Sequence, residues 1–465
     1  MSNGFEKRYG LFTAICMVVG IVIGSGVFFK AQIILKKTGG NMPLGIAAWA
    51  IGGAIMLSCI LAFANMAQKY EKVNGIVDYA EAAVGSKYAY AVGWFLTTVY
   101  YPTLTSTLAW LCARYTLIFM VNVYPDLPMI VPAAEGGCEV GPECMALMLF
   151  YLCSAYTVNA LSPRLAGKTQ VLTTVIKLIP IAFMAVFGVI AGICNGTLAN
   201  NFASNATVAG EHRHPLFAAV SAAAFAYEGW IIATSINSEL KDAKRNLPKA
   251  LIIGSMIVIA SYILYYIGVA GGATNQQLTD SGATAAFTNV FGAVFGNVLN
   301  FFVAVSCIGT LNGLMLGSVR GMYSLAARNE GPNPEVFAQV DKKTNMAPNS
   351  AAIGLIICVL WGVYYFFSNL AHTFTGPFVF DSTEIPIITL YAMYIPIFIM
   401  WMKKEKELSF VKRFAVPFGA VCGSLYMILA AVLAHGFSFV WYLIVFLIIM
   451  FIGMAFLRKN NSKRV

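Results

Sequence analysis

Hydrophobic residues along the chain are grouped into long runs that are separated by short polar segments. Most runs are about 20 residues long, which is the length of helix that crosses a bilayer, and they differ from the roughly 10-residue alternating segments of an outer-membrane barrel. The pattern therefore predicts an all-α polytopic membrane protein with twelve transmembrane helices, which we number spans 1 to 12. A window of about 19 residues places these spans at 11–29, 44–67, 91–120, 145–160, 169–194, 216–238, 250–271, 293–319, 350–367, 385–402, 415–434 and 437–457.

The composition supports a membrane protein and narrows its partners. Of the 465 residues, 59% are hydrophobic and 11% are charged, whereas about 25% are charged in a soluble domain. The net charge of +10 does not indicate nucleic acid, because the basic residues lie in short segments between apolar runs and form no basic face. The expected partners are the lipid bilayer and a small-molecule substrate, with no nucleic acid.

The positions of the basic residues predict the orientation in the membrane. With the N-terminus inside, most Lys and Arg fall in cytoplasmic segments, and only Lys30, Lys36, Lys37 and Arg213 fall on the opposite side. We therefore expect a multi-pass protein of the cell membrane whose N- and C-termini are both cytoplasmic.

Two of the spans are interrupted. Gly24-Ser25-Gly26 breaks span 1 about two thirds of the way along it, and the segment 225–230 places a carboxylate and a glycine in the middle of span 6. Each broken span is the first of a block of five spans. Because five is odd, the second block starts on the other side of the membrane and is inverted relative to the first. An inverted repeat whose first helices are both broken is the sequence pattern of a secondary transporter with a substrate site near the midplane.

The repeat predicts a division of the chain. The expected units are a transport core at 1–402, its first repeat at 11–194, its inverted second repeat at 216–402, and two peripheral helices with a short cytoplasmic tail at 403–465.

A helix break at membrane depth frees backbone groups that need partners. The helix half after the break presents N–H groups and suits a carboxylate, whereas the half before it presents carbonyls and suits an ammonium group. Ser25, Gly26 and Val27 are expected to bind an α-carboxylate, and the carbonyls of Val22, Phe225 and Glu228 an α-ammonium. The expected substrate-binding residues are Val22, Ser25, Gly26, Val27, Phe225, Ala226 and Glu228.

Three ionisable residues lie inside predicted spans, where a charge costs roughly 2.5–3.5 kcal/mol. Arg114 is near the end of span 3 and suits an anchor. Lys177 is expected to dock its ammonium group on the carbonyls freed by the break in span 1, with a proton site as the alternative. Glu228 has three interpretations: a partner for a substrate cation, a proton carrier, or one side of a salt bridge within the bundle.

Other side chains are weaker candidates. Phe225 is predicted to close over a bound ligand as a gate, and Thr103, Ser106 and Asn312 are secondary pocket candidates. Glycines recur every four residues in span 8, a spacing that predicts tight helix packing instead of ligand contact. The glycines concerned are Gly309, Gly313, Gly317 and Gly321.

The ten cysteines give no metal pattern, since no CxxC or His/Cys cluster is present. No metal and no cofactor is expected. Cys138 and Cys144 lie in an acidic loop on the oxidising side, where a disulfide and two free thiols are equally good interpretations.

Taken together in their order, several segments resemble the amino acid-polyamine-organocation superfamily, and most of all its L-type branch with the bacterial serine/threonine exchangers. These segments are Gly24-Ser25-Gly26-Val27-Phe28, Phe225-Ala226-Tyr227-Glu228-Gly229-Trp230, Glu239-Leu240 with Arg245-Asn246-Leu247-Pro248, and Cys307-x-Gly309-x-x-Asn312-Gly313 with Ser318, Arg320 and Ala327-Arg328.

The resemblance implies a LeuT-type fold of five plus five inverted spans with two peripheral helices, and sodium-independent exchange of amino acids. Ser25 and Gly26 match the carboxylate-binding turn, Phe225 the gating aromatic residue, and Lys177 the span 5 lysine. Glu228 departs from the glycine that is common in neutral-substrate members, while a member that also takes cationic amino acids has aspartate there. In animal relatives a cysteine after span 3 links a heavy-chain partner, whereas the two cysteines and short termini here suit an internal bond equally well.

The function predicted from the sequence is therefore an exchanger of neutral L-amino acids, not an enzyme. The alternatives are a proton-coupled permease, or a transporter of cationic amino acids or polyamines that uses Glu228. A twelve-helix transporter of the major facilitator type is a further alternative, but the segment from Lys69 to Lys87 lacks the glycine-rich basic motif expected there.

Overall fold

The computed structural model describes residues 9–70, 75–203, 214–344 and 346–462, without the side chains of 163–164, 235–239 and 458–462. Over these residues the chain is helical and contains no strand. One isolated bridge joins Tyr9 to Leu240, and the Tyr9 carbonyl accepts a hydrogen bond of 2.9 Å from the Lys241 amide. This contact ties the start of span 1 to the segment that follows span 6.

The twelve predicted spans are confirmed: twelve helices in the described residues are long and apolar enough to cross a membrane. In chain order they are Leu11–Lys37, Met42–Lys69, Ser86–Val123, Gly137–Leu161, Leu165–Cys194, Pro215–Thr234, Ala243–Gly272, Ala293–Ala326, Pro348–Leu370, Ile385–Lys404, Val411–His435 and Ser438–Leu457. Shorter helices connect them at Ile76–Ala83, Thr197–Ala203, Asn275–Ser281, Ala283–Phe291 and Pro334–Phe337.

Span 1 is longer than its apolar run, and this moves its break. The helix ends at Val22, begins again at Gly26 and continues to Lys37, so two halves of 12 residues flank the break. The prediction of a break two thirds of the way along was wrong, because the apolar run stops where Lys30, Lys36 and Lys37 begin although the helix does not. Arg213, which was assigned to the same side as these lysines, lies outside the described residues.

The second half of span 6 also differs from its prediction. The α-helix Pro215–Ala226 ends where expected, but the chain resumes as a 3₁₀ helix at Trp230–Glu239. A 3₁₀ helix rises about 2.0 Å per residue against 1.5 Å in an α-helix, so ten residues reach further toward the membrane surface.

The broken spans lie at the centre of the bundle. In the most apolar window of span 6, 89% of the residues are buried, against 17% in span 12. Span 8 packs along span 3 and also contacts spans 4 and 5, while span 7 packs between spans 1 and 2. Span 12 contacts the first part of span 3 and lies at the periphery.

The glycine stripe of span 8 is a packing surface, as predicted. A Cβ atom on Gly313 would lie 2.5 Å from the Ile21 side chain, and one on Gly317 would lie 3.0 Å from the Tyr101 ring. Gly309 and Gly321 face Thr173 and Thr97 in the same way. The absence of side chains at these four positions lets spans 1, 3, 5 and 8 approach closely enough to form a site between them.

Large apolar side chains cover the outside of the bundle. Phe451 is 75% exposed, and Phe418 and Leu360 are both more than 60% exposed. Such side chains are stable in contact with lipid tails and costly in contact with water, so the outer surface of the bundle suits a bilayer.

Candidate functional site

The break in span 1 is held open by side chains from three other spans. The Ser306 hydroxyl of span 8 donates to the Gly24 carbonyl at 3.1 Å, and the Tyr262 hydroxyl of span 7 lies 2.9 Å from the Val22 carbonyl. These donors replace the helix hydrogen bonds that the break removes, as backbone groups at membrane depth require. The break is therefore a built feature of the fold.

Lys177 of span 5 provides the charged partner of this break. Its ammonium group donates to the Gly20 carbonyl at 2.7 Å and to the Ile23 carbonyl, and lies 3.5 Å from the Thr310 hydroxyl. The residue is fully buried. The contact predicted for this ammonium group is present, and three oxygens match its three N–H donors.

The break in span 6 lies directly against the break in span 1. Gly229 has a φ of 99°, a left-handed conformation that glycine adopts without strain. A Cβ atom on Gly26 would lie only 2.6 Å from the Ala226 Cα. The two interrupted backbones thus touch, and glycine at 26 permits this approach.

The Tyr262 hydroxyl bridges the two breaks. It lies 2.9 Å from the Val22 carbonyl and 2.8 Å from the Ala226 carbonyl, and its single proton can serve one of them at a time. A carbonyl oxygen has two lone pairs, so Val22 keeps one for another donor. Tyr262 was not predicted as a site residue, because an aromatic residue in an apolar run gives no sign of such a role.

A small cavity lies between the two breaks. It is lined by Ile21, Val22, Gly24, Ser25, Gly26, Leu104, Leu108, Phe225, Glu228, Gly229, Thr310 and Leu314. Five of the seven predicted binding residues, Val22, Ser25, Gly26, Phe225 and Glu228, are among them, while Val27 and Ala226 are not. Its leucines come from spans 3 and 8 and form an apolar part of the lining.

Ser25 and Gly26 present donors to this cavity. The Ser25 hydroxyl is fully buried and has no hydrogen-bond partner. The Ser25 carbonyl accepts from the amides of Phe28 and Phe29, so the preceding amides of Gly26 and Val27 start the helix. The first amides of a helix have no partner within it and form its positive end, so this turn suits a carboxylate.

Glu228 places a carboxyl group in the lining of the cavity. The residue is 4% exposed, and its Oε1 atom accepts a hydrogen bond of 2.5 Å from the Tyr100 hydroxyl. Its Oε2 atom is buried without a hydrogen-bond partner. Among the residues that the structure describes, Glu228 forms no salt bridge in this conformation.

Phe225 separates the cavity from a buried cluster of charged groups. Its ring lines the cavity, and the Lys30 ammonium lies 5.0 Å from the ring centroid. Lys30 forms a salt bridge of 2.5 Å with Glu384, whose other oxygen lies 3.2 Å from His435 Nε2. We call Lys30, Lys37, Asp381, Glu384 and His435 the outer cluster. The sequence gave no sign of it, because Lys30 and Glu384 are 354 residues apart.

The outer cluster already balances its own charges. Lys37 Nζ lies 3.8 Å from Glu384, and the Ser221 hydroxyl donates to the same carboxylate at 3.2 Å. The ligand atoms of Asp381, Glu384 and His435 all lie within 4.8 Å of one another. Burial by itself raises the pKa of Glu384, but Lys30 and Lys37 outweigh it and hold the pKa well below its ordinary value.

Ion pairs also join the helices at the opposite end of the bundle. Arg328, which follows span 8, pairs with Asp78 and lies 3.3 Å from Glu81 on the helix Ile76–Ala83. Lys69 of span 2 pairs with Glu405 at 2.5 Å. Charged contacts therefore close the bundle on both sides of the cavity.

The three secondary pocket candidates do not line the cavity. Thr103 and Ser106 donate to carbonyls of their own span, at Val99 and Pro102, and Ser106 also reaches the Cys358 carbonyl. Asn312 accepts from Asn159 at 2.9 Å and donates to the Ala166 carbonyl at 3.1 Å. Their polar groups are used in packing spans 3, 4, 5, 8 and 9 together, so these predictions were wrong.

Arg114 and the two loop cysteines have structural positions. The Arg114 guanidinium pairs with Glu139 at 2.5 Å and stacks near the Tyr115 ring, in agreement with an anchor. Cys138 and Cys144 are both free and buried in the apolar core. The structure thus holds two thiols and no bond between these two cysteines.

The family follows from the whole length of the chain. A model of the amino acid permease family matches residues 9–456. The chain belongs to the amino acid permease family. It is accordingly an amino acid transporter and not an enzyme, and the major facilitator alternative is wrong.

Curated relatives cover most of the chain. The serine/threonine exchanger SteT of Bacillus subtilis (strain 168) is 29% identical over 341 residues, which are 73% of this chain and 72% of that protein. The b(0,+)-type amino acid transporter 1 of Mus musculus is 26% identical over 453 residues, 93% of this chain and 84% of that protein. Both names agree with the resemblance noted in the sequence.

A solved structure shows the fold. The crystal structure of MhsT in complex with L-phenylalanine superposes with a TM-score of 0.63 at 15% identity and covers 96% of this chain and 99% of that chain. The protein therefore has the LeuT-type fold of five plus five inverted spans with two peripheral helices. The resemblance of the sequence to the L-type branch predicted this fold correctly.

Proposed function

We propose that the protein exchanges neutral L-amino acids across the cell membrane without sodium, by alternating access to the cavity between the two breaks. The observation that carries the proposal is the contact between two unwound helices with opposite polarity at their open ends. The Ser25 hydroxyl and the amides of Gly26 and Val27 bind the α-carboxylate. The carbonyls of Val22, Phe225 and Glu228 bind the α-ammonium, and the leucines of spans 3 and 8 contact the side chain.

Sodium independence is supported by Lys177. Its ammonium group already provides a positive charge to the Gly20 and Ile23 carbonyls, which a bound cation would otherwise have to satisfy. A covalently attached cation stays in place through the cycle, so no ion gradient enters the reaction. The relative SteT is named an exchanger. This name agrees with a transporter whose binding site returns across the membrane only with an amino acid bound.

Alternating access is supported by the ion pairs on the two sides of the cavity. The outer cluster lies beyond Phe225, and the pairs of Arg328 and Lys69 lie at the other end. We place residues 11–194 and 216–402 as the two inverted repeats, with 403–465 outside the moving core and both termini in the cytoplasm. Phe225 acts as the gate between the cavity and the outer cluster.

The alternative of a polyamine transporter has less support. A polyamine has no carboxylate, so the Ser25 hydroxyl and the amides of Gly26 and Val27 would stay unpaired in the bound state. A heavy-chain partner is not part of the proposal, because the chain alone contains the cavity and the contacts at both of its ends.

The proposal is tested with the purified chain alone in liposomes, by measuring uptake of labelled L-alanine in choline buffer. We expect uptake when the liposomes contain unlabelled alanine, little uptake when they are empty, and no increase when sodium replaces choline. Uptake that requires sodium, or that is equal in empty liposomes, would contradict the exchanger. Counterflow against a panel of neutral amino acids then gives the side-chain selectivity.

A further inference from the structure

The segment 403–414, which joins span 10 to span 11, concentrates positive charge. It contains five cations and two carboxylates in twelve residues. Of the two carboxylates, Glu405 is buried and already pairs with Lys69 at 2.5 Å, and Glu407 is exposed. The cations are Lys403, Lys404, Lys406, Lys412 and Arg413. The segment therefore has an excess of positive charge that its own carboxylates do not balance.

Three of these cations have no partner within the protein. Lys404 donates to the Ala82 carbonyl at 3.1 Å, whereas the exposed ammonium groups of Lys403, Lys406 and Lys412 make no hydrogen bond or ion pair among the described contacts. A cytoplasmic orientation accounts for basic residues in such a segment, so their charge alone does not indicate a binding site.

The Arg413 guanidinium, in contrast, is held in one orientation. Its Nε atom donates to the Met402 carbonyl at 3.0 Å, and its Cζ atom lies 4.4 Å from the centroid of the Phe414 ring. Among the described contacts its two terminal nitrogens have no partner, so four N–H groups remain available. A guanidinium group with both terminal nitrogens available matches two oxygens of a phosphate group.

Apolar side chains accompany these cations. Phe410 is 73% exposed, Val411 and Phe414 are also exposed, and the two phenyl rings lie 5.7 Å apart. All three lie where span 11 begins, at Val411. Aromatic rings beside Lys and Arg at the membrane interface contact the upper acyl chains of lipids, while the cations reach the phosphates. A soluble anion would use the cations but would leave the rings without a partner.

We propose that the segment 403–414 is a binding site for anionic phospholipids of the cytoplasmic leaflet. The lipid phosphate accepts hydrogen bonds from the terminal nitrogens of Arg413, the exposed lysines surround it, and the rings of Phe410 and Phe414 contact the acyl chains. Phosphatidylcholine fits this site less well, because its choline cation would lie among the lysines. The lipid site does not depend on which amino acids the protein carries.

A lipid at this site stabilises contacts at one end of the bundle. Lys404 donates to a carbonyl of the helix Ile76–Ala83, which also pairs with Arg328, and the neighbouring Glu405 pairs with Lys69 of span 2. Repulsion between closely spaced cations weakens these contacts, and an anionic headgroup removes that repulsion. Because these contacts close the bundle on one side of the cavity, we expect anionic lipid to accelerate the proposed exchange.

Lipid binding is measured by native mass spectrometry of the purified protein in detergent, with phosphatidylglycerol and phosphatidylcholine added in equal amounts. We expect phosphatidylglycerol to be retained in preference. In Lys412→Gln/Arg413→Gln its affinity should fall at least about tenfold, since each cation at a lipid surface contributes about fivefold. The matched control is Lys342→Gln/Lys343→Gln, an exposed adjacent pair after span 8, which should keep the wild-type affinity.

Arg413 also has a contact within the protein, so a second variant keeps the test valid if the first does not fold. Lys406→Gln/Lys412→Gln removes two exposed cations without described partners and should also weaken retention of phosphatidylglycerol. Wild-type retention in both variants, an equal loss in the control, or no preference over phosphatidylcholine in the wild type would overturn the proposal. Displacement of the lipid by inorganic phosphate at the same concentration would indicate a site for a soluble anion and would overturn it as well.

The effect on transport is measured in liposomes of phosphatidylcholine alone and of phosphatidylcholine mixed with phosphatidylglycerol. We expect alanine exchange by the wild type to be severalfold faster in the mixture, with this increase lost in Lys412→Gln/Arg413→Gln and kept in the control. Equal rates in the two kinds of liposome would overturn the role of the lipid in transport. Absence of alanine exchange in both would instead contradict the proposed function, while retention in detergent would still decide whether the lipid site exists.

Discussion

Single polar residues determine whether the broken helices can exist in a membrane. Lys177, Ser306 and Tyr262 come from three different spans, and each donates to a carbonyl that the break in span 1 leaves without its helical partner. Because lipid offers no hydrogen bonds, removal of one donor leaves a buried acceptor unpaired, at a cost of about 1–3 kcal/mol. Removal of one of these contacts should therefore lower the rate of transport more than it lowers the stability of the fold.

Replacement of Lys177 tests the charged partner. We expect Lys177→Ala to lower the rate of alanine exchange by about tenfold, since about 1.4 kcal/mol corresponds to a factor of ten, and to change the dissociation constant of alanine by much less. The carbonyls of Gly20 and Ile23 belong to the moving helix break, and the substrate does not touch Lys177. Exchange rates and equilibrium binding on the same preparation separate the two effects, and an unchanged exchange rate would remove Lys177 from the mechanism.

Tyr262 offers a prediction with a matched control, Tyr266, about one helix turn away. Tyr262→Phe removes the hydroxyl group shared by Val22 and Ala226, and we expect alanine exchange to fall about fivefold, as for the loss of one hydrogen bond of about 1 kcal/mol. Tyr266→Phe removes a buried hydroxyl group that has no hydrogen-bond partner, so its exchange should stay close to wild type. Equal activity of the two variants would show that the bridge has no role.

The sequence identified some of these residues and could not identify others, for a physical reason. Lys177 and Glu228 are conspicuous because charges are rare within apolar runs, and both lie beside the breaks. Tyr262 and Thr310 belong to residue types that are common in membrane helices, and their role depends on contacts across 36 to 290 positions of the chain. Thr103 and Ser106 were wrong because small hydroxyl groups bond their own helix more readily than a ligand.

At the scale of elements, the two breaks function as one unit. The segments Gly-Ser-Gly in span 1 and Glu-Gly in span 6 were sufficient to locate the breaks. Glycine weakens a helix, and a carboxylate within a membrane span is costly and therefore rare. The contact between the breaks, and the 3₁₀ form of the second half of span 6, followed only from packing. The positions of the helix interruptions could thus be predicted from neighbouring residues in the sequence. The contact between the two interruptions depends on how distant segments pack and could not be predicted in this way.

The approach of the breaks is tested by adding one methyl group. Gly26→Ala places a Cβ atom 2.6 Å from the Ala226 Cα and 2.9 Å from its Cβ, so the backbones must separate. Overpacking of this kind costs typically about 1–3 kcal/mol, and we expect alanine exchange to fall about tenfold or more. The control is Gly10→Ala at the residue that precedes span 1, where nothing lies within 4 Å, and exchange of that variant should be normal. Normal exchange in Gly26→Ala would contradict the contact.

The outer cluster makes a prediction about stability and pH. Removal of one partner of a buried ion pair costs about 3–5 kcal/mol, so Glu384→Gln should lower the temperature of thermal unfolding in detergent, whereas Glu335→Gln, at an exposed position in the short helix Pro334–Phe337, should not. Lys30 and Lys37 hold the pKa of Glu384 well below its ordinary value of 4.5. A lowered pKa in the folded state stabilises the protein above the ordinary value, and this contribution disappears as the pH falls through the lowered value.

The difference in unfolding temperature between wild type and Glu384→Gln should therefore not shrink between neutral pH and about pH 5. It should shrink only in stronger acid. A difference that already shrinks between pH 7 and pH 5 would show that the ionised form of Glu384 is not what stabilises the cluster.

At the scale of the whole molecule, the pattern of apolar runs predicted the twelve spans, because lipid demands about 20 apolar residues for each crossing. The ends of the spans were less predictable, since charged residues such as Lys36 and Lys37 continue a helix beyond the hydrocarbon core. The inverted repeat followed from the odd number of spans in each block, and the fold shared with MhsT confirms it.

The orientation in the membrane is open to a direct check. The distribution of Lys and Arg predicts that both termini are cytoplasmic and that Lys36 faces the outside. Reporter fusions that are active only on one side of the membrane, placed at the C-terminus and in the segment that follows span 5, should report opposite sides. The same side for both fusions would contradict the twelve-span arrangement.

The central claim is that an amino acid binds between the two helix breaks. A structure of the protein with the neutral amino acid that competes best in counterflow tests it most directly. We expect density in the cavity bounded by Phe225 and Leu104, with the α-carboxylate on the Ser25 hydroxyl and the Gly26 amide and the α-ammonium toward span 6. An amino acid bound away from the two breaks, or one whose carboxylate points away from span 1, would contradict this claim.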